Sequence, residues 1–287
     1  DWNDAGFGRL SFIDGLANSS NVYFYKLGGG YQDEVPEGLG VCRLGTYARA
    51  MGYGDYPGVG LPDEEKGLVP DPQWKRITHG ESWSTGDTYI ASVGQGYVLA
   101  TPLQVLMSAA VIANDGALMQ PMLVREVVDA EGNVVEGFQP VTKWDITRDA
   151  VIQEYYETTI RGCEEIEGQT KTVETWVIDL VQEGMRRAVT HGTLKDEFVN
   201  VSIPAAGKTG TAEYCDQYAQ AQNRCIYGQW PSHAWTVAYA PYEDPEIAVV
   251  AFIYNGGEGA SVAGPVVWQV LNAYFELKEI DVAQSTP

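Results

Sequence analysis

Ala205–Tyr214 reads AAGKTGTAEY, a lysine set between small residues and followed by alternating hydroxyls. Its length and its turn-forming flanks are those of a β-strand. Side chains alternate across a strand, so Lys208 and Gly210 face one way and Thr209 and Thr211 the other. Gly210 removes a side chain where another backbone would have to lie close. The strand's N–H groups could then pair with an extended peptide while one face meets a carboxylate. A Lys-Thr-Gly triplet alone also fits an ordinary strand with a surface lysine, so its neighbours decide.

Downstream, His233–Ala240 and Ile247–Tyr254 read as two further strands joined by the turn-forming segment Pro241–Pro245, and a helix from about Pro265 to Leu277 closes the chain. Upstream, Trp176, Ile178, Leu180, Val181, Met185 and Ala188 give Thr175–Val189 a helical period. Thr101-Pro102 opens another helix, which Asn114-Asp115-Gly116 stops. Val124–Val128 and Val134–Phe138 read as a hairpin around the turn at Asp129–Asn133. A short helix covers Arg43–Met51, and the Gly-, Pro- and Asp-rich stretch from there to about Gly86 reads as loop. Ser11–Leu27 reads as one helix with a polar interruption at Asn18–Asn21, closed by Gly28–Gly30. Helices in the first two thirds and an antiparallel sheet at the end predict one α+β domain over residues 1–280, with 281–287 as a tail.

Composition narrows the function. The chain's 287 residues are 45% apolar, enough for a substantial core. The 39 acidic residues against 18 basic ones give a net charge of -21, which argues against nucleic acid or anionic lipid as a partner. No run of about 18 apolar residues and no export signal is present, so the chain is not expected to span a membrane itself. Cys42, Cys163, Cys215 and Cys225 have no zinc-knuckle spacing; Cys215 and Cys225 could close a short loop as a disulfide or stand there as two thiols. His79, His191 and His233 are scattered, and no metal or cofactor is expected.

Far upstream of the lysine strand, Ser19-Ser20-Asn21 sits inside the first helical stretch, where polar side chains call for a reason. The pair formed by serine-x-asparagine and lysine-threonine-glycine resembles two of the three signature motifs of penicillin-recognising enzymes. SSNVYFYKLG (Ser19–Gly28), SVGQGYVLATPLQV (Ser92–Val105), IANDG (Ile112–Gly116), GKTGTAEY, the long string His233–Gly259 and AGPVVWQVL (Ala263–Leu271) resemble, in order, the class B, elongation-type penicillin-binding proteins. The resemblance implies a penicillin-binding transpeptidase or serine β-lactamase-like fold, an antiparallel sheet flanked by helices and incomplete at its N-terminus. It implies peptidoglycan D,D-transpeptidase activity through an acyl-serine. Ser19 would relay the proton to the leaving D-alanine, Lys208 would supply positive charge, and Asn21 would bind the donor amide. Thr209, Gly210 and Thr211 would receive the carboxylate end of a D-alanyl-D-alanine stem or of a β-lactam, and the Thr211 N–H would form half of an oxyanion hole. Gly94-Gln95-Gly96 is taken as structural, an entry to the helix at Thr101.

The sequence departs from that family in one respect. No serine in it is followed by lysine three residues later, so the serine-x-x-lysine nucleophile is expected on a segment outside this chain or on a second chain. The parent would be extracytoplasmic and anchored through that N-terminal segment, with a membrane glycosyltransferase as a further partner. The other reading is a non-catalytic module of the same fold that binds stem peptides or scaffolds cell-wall partners. A hydrolase of the same superfamily, carboxypeptidase or β-lactamase, would share the recognition strand but use water as acceptor.

Overall fold

The computed structural model describes residues 5–158, 162–199 and 203–285. It begins with two helices, α1 (Phe12–Ala17) and α2 (Asn21–Gly29), where the sequence predicts one. The break has a local cause: the Asn18 side chain turns back to donate to the Asp14 carbonyl at 2.9 Å, and Ser19 leaves the helical region with φ of 51°. α3 (Gly40–Ala50) follows. The stretch read as loop up to Gly86 in fact holds α4 (Pro72–His79) and the start of α5 (Thr85–Ala91). Asp71 caps α4 by accepting from Trp74 N–H at 2.8 Å, Pro72 occupies its first turn, and Gly80 ends it at φ of 70°. Ser84 and Asp87 form a reciprocal capping box for α5, as Thr101 and Gln104 do for α6 (Pro102–Ala113).

The middle of the chain is built from small antiparallel pairs. After β1 (Ala117–Met119) comes the hairpin of β2 (Glu126–Val128) and β3 (Val134–Gly137), close to where the valine runs predict it. β4 (Thr142–Asp145) returns to pair with β1, and β5 (Ile152–Thr158) pairs with β6 (Gly162–Lys171); the sequence reading assigns no strand there. A disulfide between Cys42 on α3 and Cys163 on β6 ties this region to the helical part.

α7 (Thr175–Thr190) leads to the three-stranded antiparallel sheet. β7 (Ala206–Glu213) pairs with β8 (Ser232–Ala240) in unbroken register from Ala206↔Tyr239 to Glu213↔Ser232, and β8 pairs with β9 (Ile247–Ile253). The short helix α8 (Gln217–Ala221) lies between β7 and β8. A π-helical turn at Gly259–Ala263 opens α9 (Gly264–Ser285), which runs past the boundary drawn at residue 280. Residues 286–287 of the expected tail lie outside the described residues.

The sheet is packed on both faces. Met107, Val111 and Ile112 of α6 and Met185 of α7 meet Ala206 and Tyr239 on one. Val267, Leu271 and Phe275 of α9 meet Ala234, Ala238 and Ala251 on the other. Val267 and Leu271 are essentially inaccessible, and burying an aliphatic side chain of this size contributes about 1.5–3 kcal/mol. Small residues on β8 let α9 approach closely. No helix among the described residues is long and apolar enough to cross a membrane.

Candidate active site

Ser19 stands at the break between α1 and α2 rather than inside a helix. A non-glycine residue with positive φ costs on the order of 1–3 kcal/mol and persists only where its surroundings hold it. Those surroundings are visible. Ser19 N–H donates to Leu16 O at 3.1 Å, and Ser20 N–H to Gly15 O at 3.0 Å. α1 is in turn pinned to α7: Asp14 accepts from Arg187 Nη1 at 2.8 Å, and Leu16 lies so close to Gly184 that a Cβ there would stand 2.5 Å from Leu16 Cδ2. Just beyond α7, Thr193 N–H donates to Ala17 O at 3.1 Å.

That bend aims Ser19 at β7. Lys208 Nζ donates to Ser19 Oγ at 2.6 Å and to Thr209 O at 2.8 Å, joining residues 189 positions apart. Burial pushes the Lys208 ammonium down to about 8, because desolvation penalises its charged form. With Nζ donating, the Ser19 proton is directed away from the lysine, and near neutral pH the pair can both hold and pass a proton.

The strand parity read from the sequence holds. Lys208 shares a face with Ala206 and Tyr239, the side of α6 and α7, whereas Thr209 pairs with Thr236 on the side of the π turn. Thr209 Oγ1 lies 3.0 Å from Thr193 Oγ1, a partner with no signal in the sequence because nothing marks the turn after α7. Thr211 Oγ1 accepts from Gly259 N–H at 3.1 Å, which leaves its own proton to be donated.

The backbone edge of β7 matters as much as its faces. In an antiparallel strand the N–H and C=O of one residue point to the same side. Thr209 O meets Lys208 Nζ and Thr211 O accepts from Gln95 Nε2 at 2.9 Å, so the odd residues turn their backbone groups away from β8, towards the cleft. The Thr211 N–H therefore faces the cleft as well. Gln95, taken from the sequence as a purely structural residue, reaches the site across 116 positions. The GQG string was visible, but its contact is tertiary.

A cleft of about 1600 Å³ collects these groups: Ser19, Asn21, Gln95, Lys208, Thr209 and Thr211 all line it. Gly210 does too, and a Cβ there would stand 3.2 Å from Trp235 Cβ, so its bareness serves packing against β8 as well as access. A second cavity of about 950 Å³ reaches Lys208–Thr211 from the other side and is walled by apolar residues that include Val41, Leu44, Val105, Ala109, Ile112 and Met185. The rim of the cleft is braced covalently. Cys215 and Cys225 form a disulfide, one of the two states that the sequence leaves open, and Arg224 Nη1 holds Tyr214 Oη at 2.9 Å while the Tyr214 ring stacks on His233 at 3.8 Å.

The penicillin binding protein transpeptidase domain family matches residues 1–272. A curated relative, peptidoglycan D,D-transpeptidase MrdA of Haemophilus influenzae, is 28% identical over 96% of this chain and 38% of its own length, so the chain spans about two fifths of such relatives. Among solved structures, Pseudomonas aeruginosa PBP2 in complex with WCK 5153 superposes with a TM-score of 0.69 at 28% identity, covering 95% of this chain and 49% of that one. A chain from a study of how a peptidoglycan synthase complex coordinates polymerization and crosslinking gives 0.65 at 30% identity, covering 93% and 38%.

Proposed function

The chain belongs to the penicillin-binding protein transpeptidase family, and we propose that it forms the recognition part of an extracytoplasmic peptidoglycan D,D-transpeptidase whose nucleophilic serine lies on another segment of the same protein. The observation that carries this reading is the Lys208–Ser19 contact at 2.6 Å, which sets the serine-x-asparagine and lysine-threonine-glycine motifs face to face.

The chemistry follows from the geometry. A D-alanyl-D-alanine end lies along β7 with its carboxylate at the Thr209 and Thr211 hydroxyls, and its penultimate amide reaches Asn21. The serine oxygen attacks the scissile carbonyl, whose oxygen gathers negative charge beside the Thr211 N–H; a donor placed in this way contributes about 3 kcal/mol. The C–N bond breaks and the terminal D-alanine leaves with a proton relayed through Ser19, while the Lys208 charge holds the hydroxyl network. An amine from a second stem then attacks the ester. A serine-x-x-lysine segment that docks in the half-open apolar cavity of about 950 Å³ would meet Lys208 there and cover its apolar wall. Two disulfides support an oxidising, extracytoplasmic compartment, and the similarity to a chain of a peptidoglycan synthase complex supports a polymerising partner.

The test is covalent labelling. The full-length protein treated with a fluorescent penicillin carries a denaturation-resistant adduct on a serine outside these 287 residues, and the isolated chain carries none. Full-length protein that never labels supports the non-catalytic module instead. Product analysis with an amine acceptor separates transfer from hydrolysis.

A further inference from the structure

β7 offers an incoming ligand one edge, and that edge is already partly taken. Thr211 turns both its N–H and its C=O to the cleft, and Gln95 Nε2 donates to that C=O at 2.9 Å. A residue that pairs with Thr211 in antiparallel fashion exchanges both hydrogen bonds with it: its carbonyl takes the Thr211 N–H and its own N–H takes the Thr211 C=O. The Gln95 carboxamide therefore stands where the amide N–H of the acylating residue has to go.

The base of Gln95 is fixed. Its N–H donates to Ile90 O at 3.1 Å, and a Cβ on Gly96 would stand 2.9 Å from Ile90 Cγ2, so the loop rests on the end of α5. α5 is held from its other end, where Lys75 Nζ meets the Asp87 carboxylate at 2.8 Å with both side chains largely buried. The side chain, by contrast, is only half-buried and extends from that loop into the cleft, where it can turn about its own bonds without moving the backbone.

Building on the transpeptidase reading, we propose that Gln95 is a displaceable bar on the peptide-binding edge of β7, a specificity-determining residue that competes with the ligand's amide for the Thr211 carbonyl. Ligands that bring an amide N–H repay the exchange bond for bond. Those that lack one leave either the bar in place or the carbonyl unpaired, so the bar sets how much an amide N–H is worth to binding.

The experiment uses the full-length protein and two acylating probes: benzylpenicillin, which carries an acylamide N–H, and imipenem, whose hydroxyethyl group carries none. In Gln95→Met, which keeps the length and loses the donor, the ratio of second-order acylation constants (benzylpenicillin over imipenem) rises about fivefold, the worth of one net hydrogen bond. The gain lies in the half-saturating concentration of benzylpenicillin and leaves its limiting acylation rate in place. An unchanged or smaller ratio overturns the proposal, as does a common fall in the limiting rate for both probes, which marks Gln95 as a brace for β7. Wild-type protein that neither probe acylates overturns the transpeptidase reading and this inference with it.

Discussion

The two faces of β7 present opposite environments within one strand. The face carrying Thr209 and Thr211 opens on the cleft, with the two hydroxyls braced by Thr193 Oγ1 and by the Gly259 N–H. The face carrying Lys208 looks onto an apolar cavity, and its amine reaches sideways to Ser19 and to the Thr209 carbonyl. In the function proposed above, the first face receives the carboxylate end of the ligand. The second keeps one charge poorly solvated, which is the condition for an amine that must change its proton or its partner during a reaction.

Removing the charge is the strongest way to break that contrast. Lys208→Met in the full-length protein lowers penicillin acylation about a thousandfold, the scale of a lost acid–base and electrostatic contribution, while circular dichroism shows the fold retained. Acylation that survives the change would place the chemistry elsewhere.

The same residue makes the contrast visible in stability. Lys208 titrates near 8 in the folded chain against 10.5 when unfolded, so below pH 8 both states carry its proton and folding includes the cost of burying the charge. Between about 8 and 10.5 the folded state has released the proton and the unfolded state has not, so stability rises with pH. Denaturant titrations of wild type and Lys208→Met should therefore converge over that window, the wild type gaining up to about 3 kcal/mol on the variant. A constant difference would mean that the amine is solvated after all.

The smallest effect concerns the polar side's rim. Cys215→Ser with Cys225→Ser opens a ten-residue closure and costs about 2 kcal/mol in chemical denaturation, with the Lys208–Ser19 pair untouched. A larger loss would show that the rim supports β7 itself.

Much of this arrangement was legible from the chain of letters. The strands of the sheet announce themselves as short runs of small, β-branched and aromatic residues between turn signals, helix α7 by its apolar period, and α6 by Thr101, Pro102 and Asn114 at its ends. β6 stays silent because GCEEIEGQTK is mostly polar and lies mostly at the surface, so no apolar alternation survives. α4 was hidden by its setting: Asp71, Pro72 and Gly80 are proper stop and start signals, but they stand in a stretch crowded with the same residue types. Ser19 and Lys208 could be paired by motif, yet the bend that aims the serine depends on α7 beneath it, and the part played by Gln95 depends on a contact that no local pattern encodes.

The bond between Cys42 and Cys163 separates how the wall of the cavity is held from how the intervening chain is spelled. It closes 121 residues, and within them lies the β2–β3 hairpin, every position of which is exposed. Lengthening such a closed loop costs only logarithmically, and exposed tips tolerate insertion. That hairpin is therefore free to vary in length over evolution while α3, which lines the cavity, stays moored to β6 by a covalent tie.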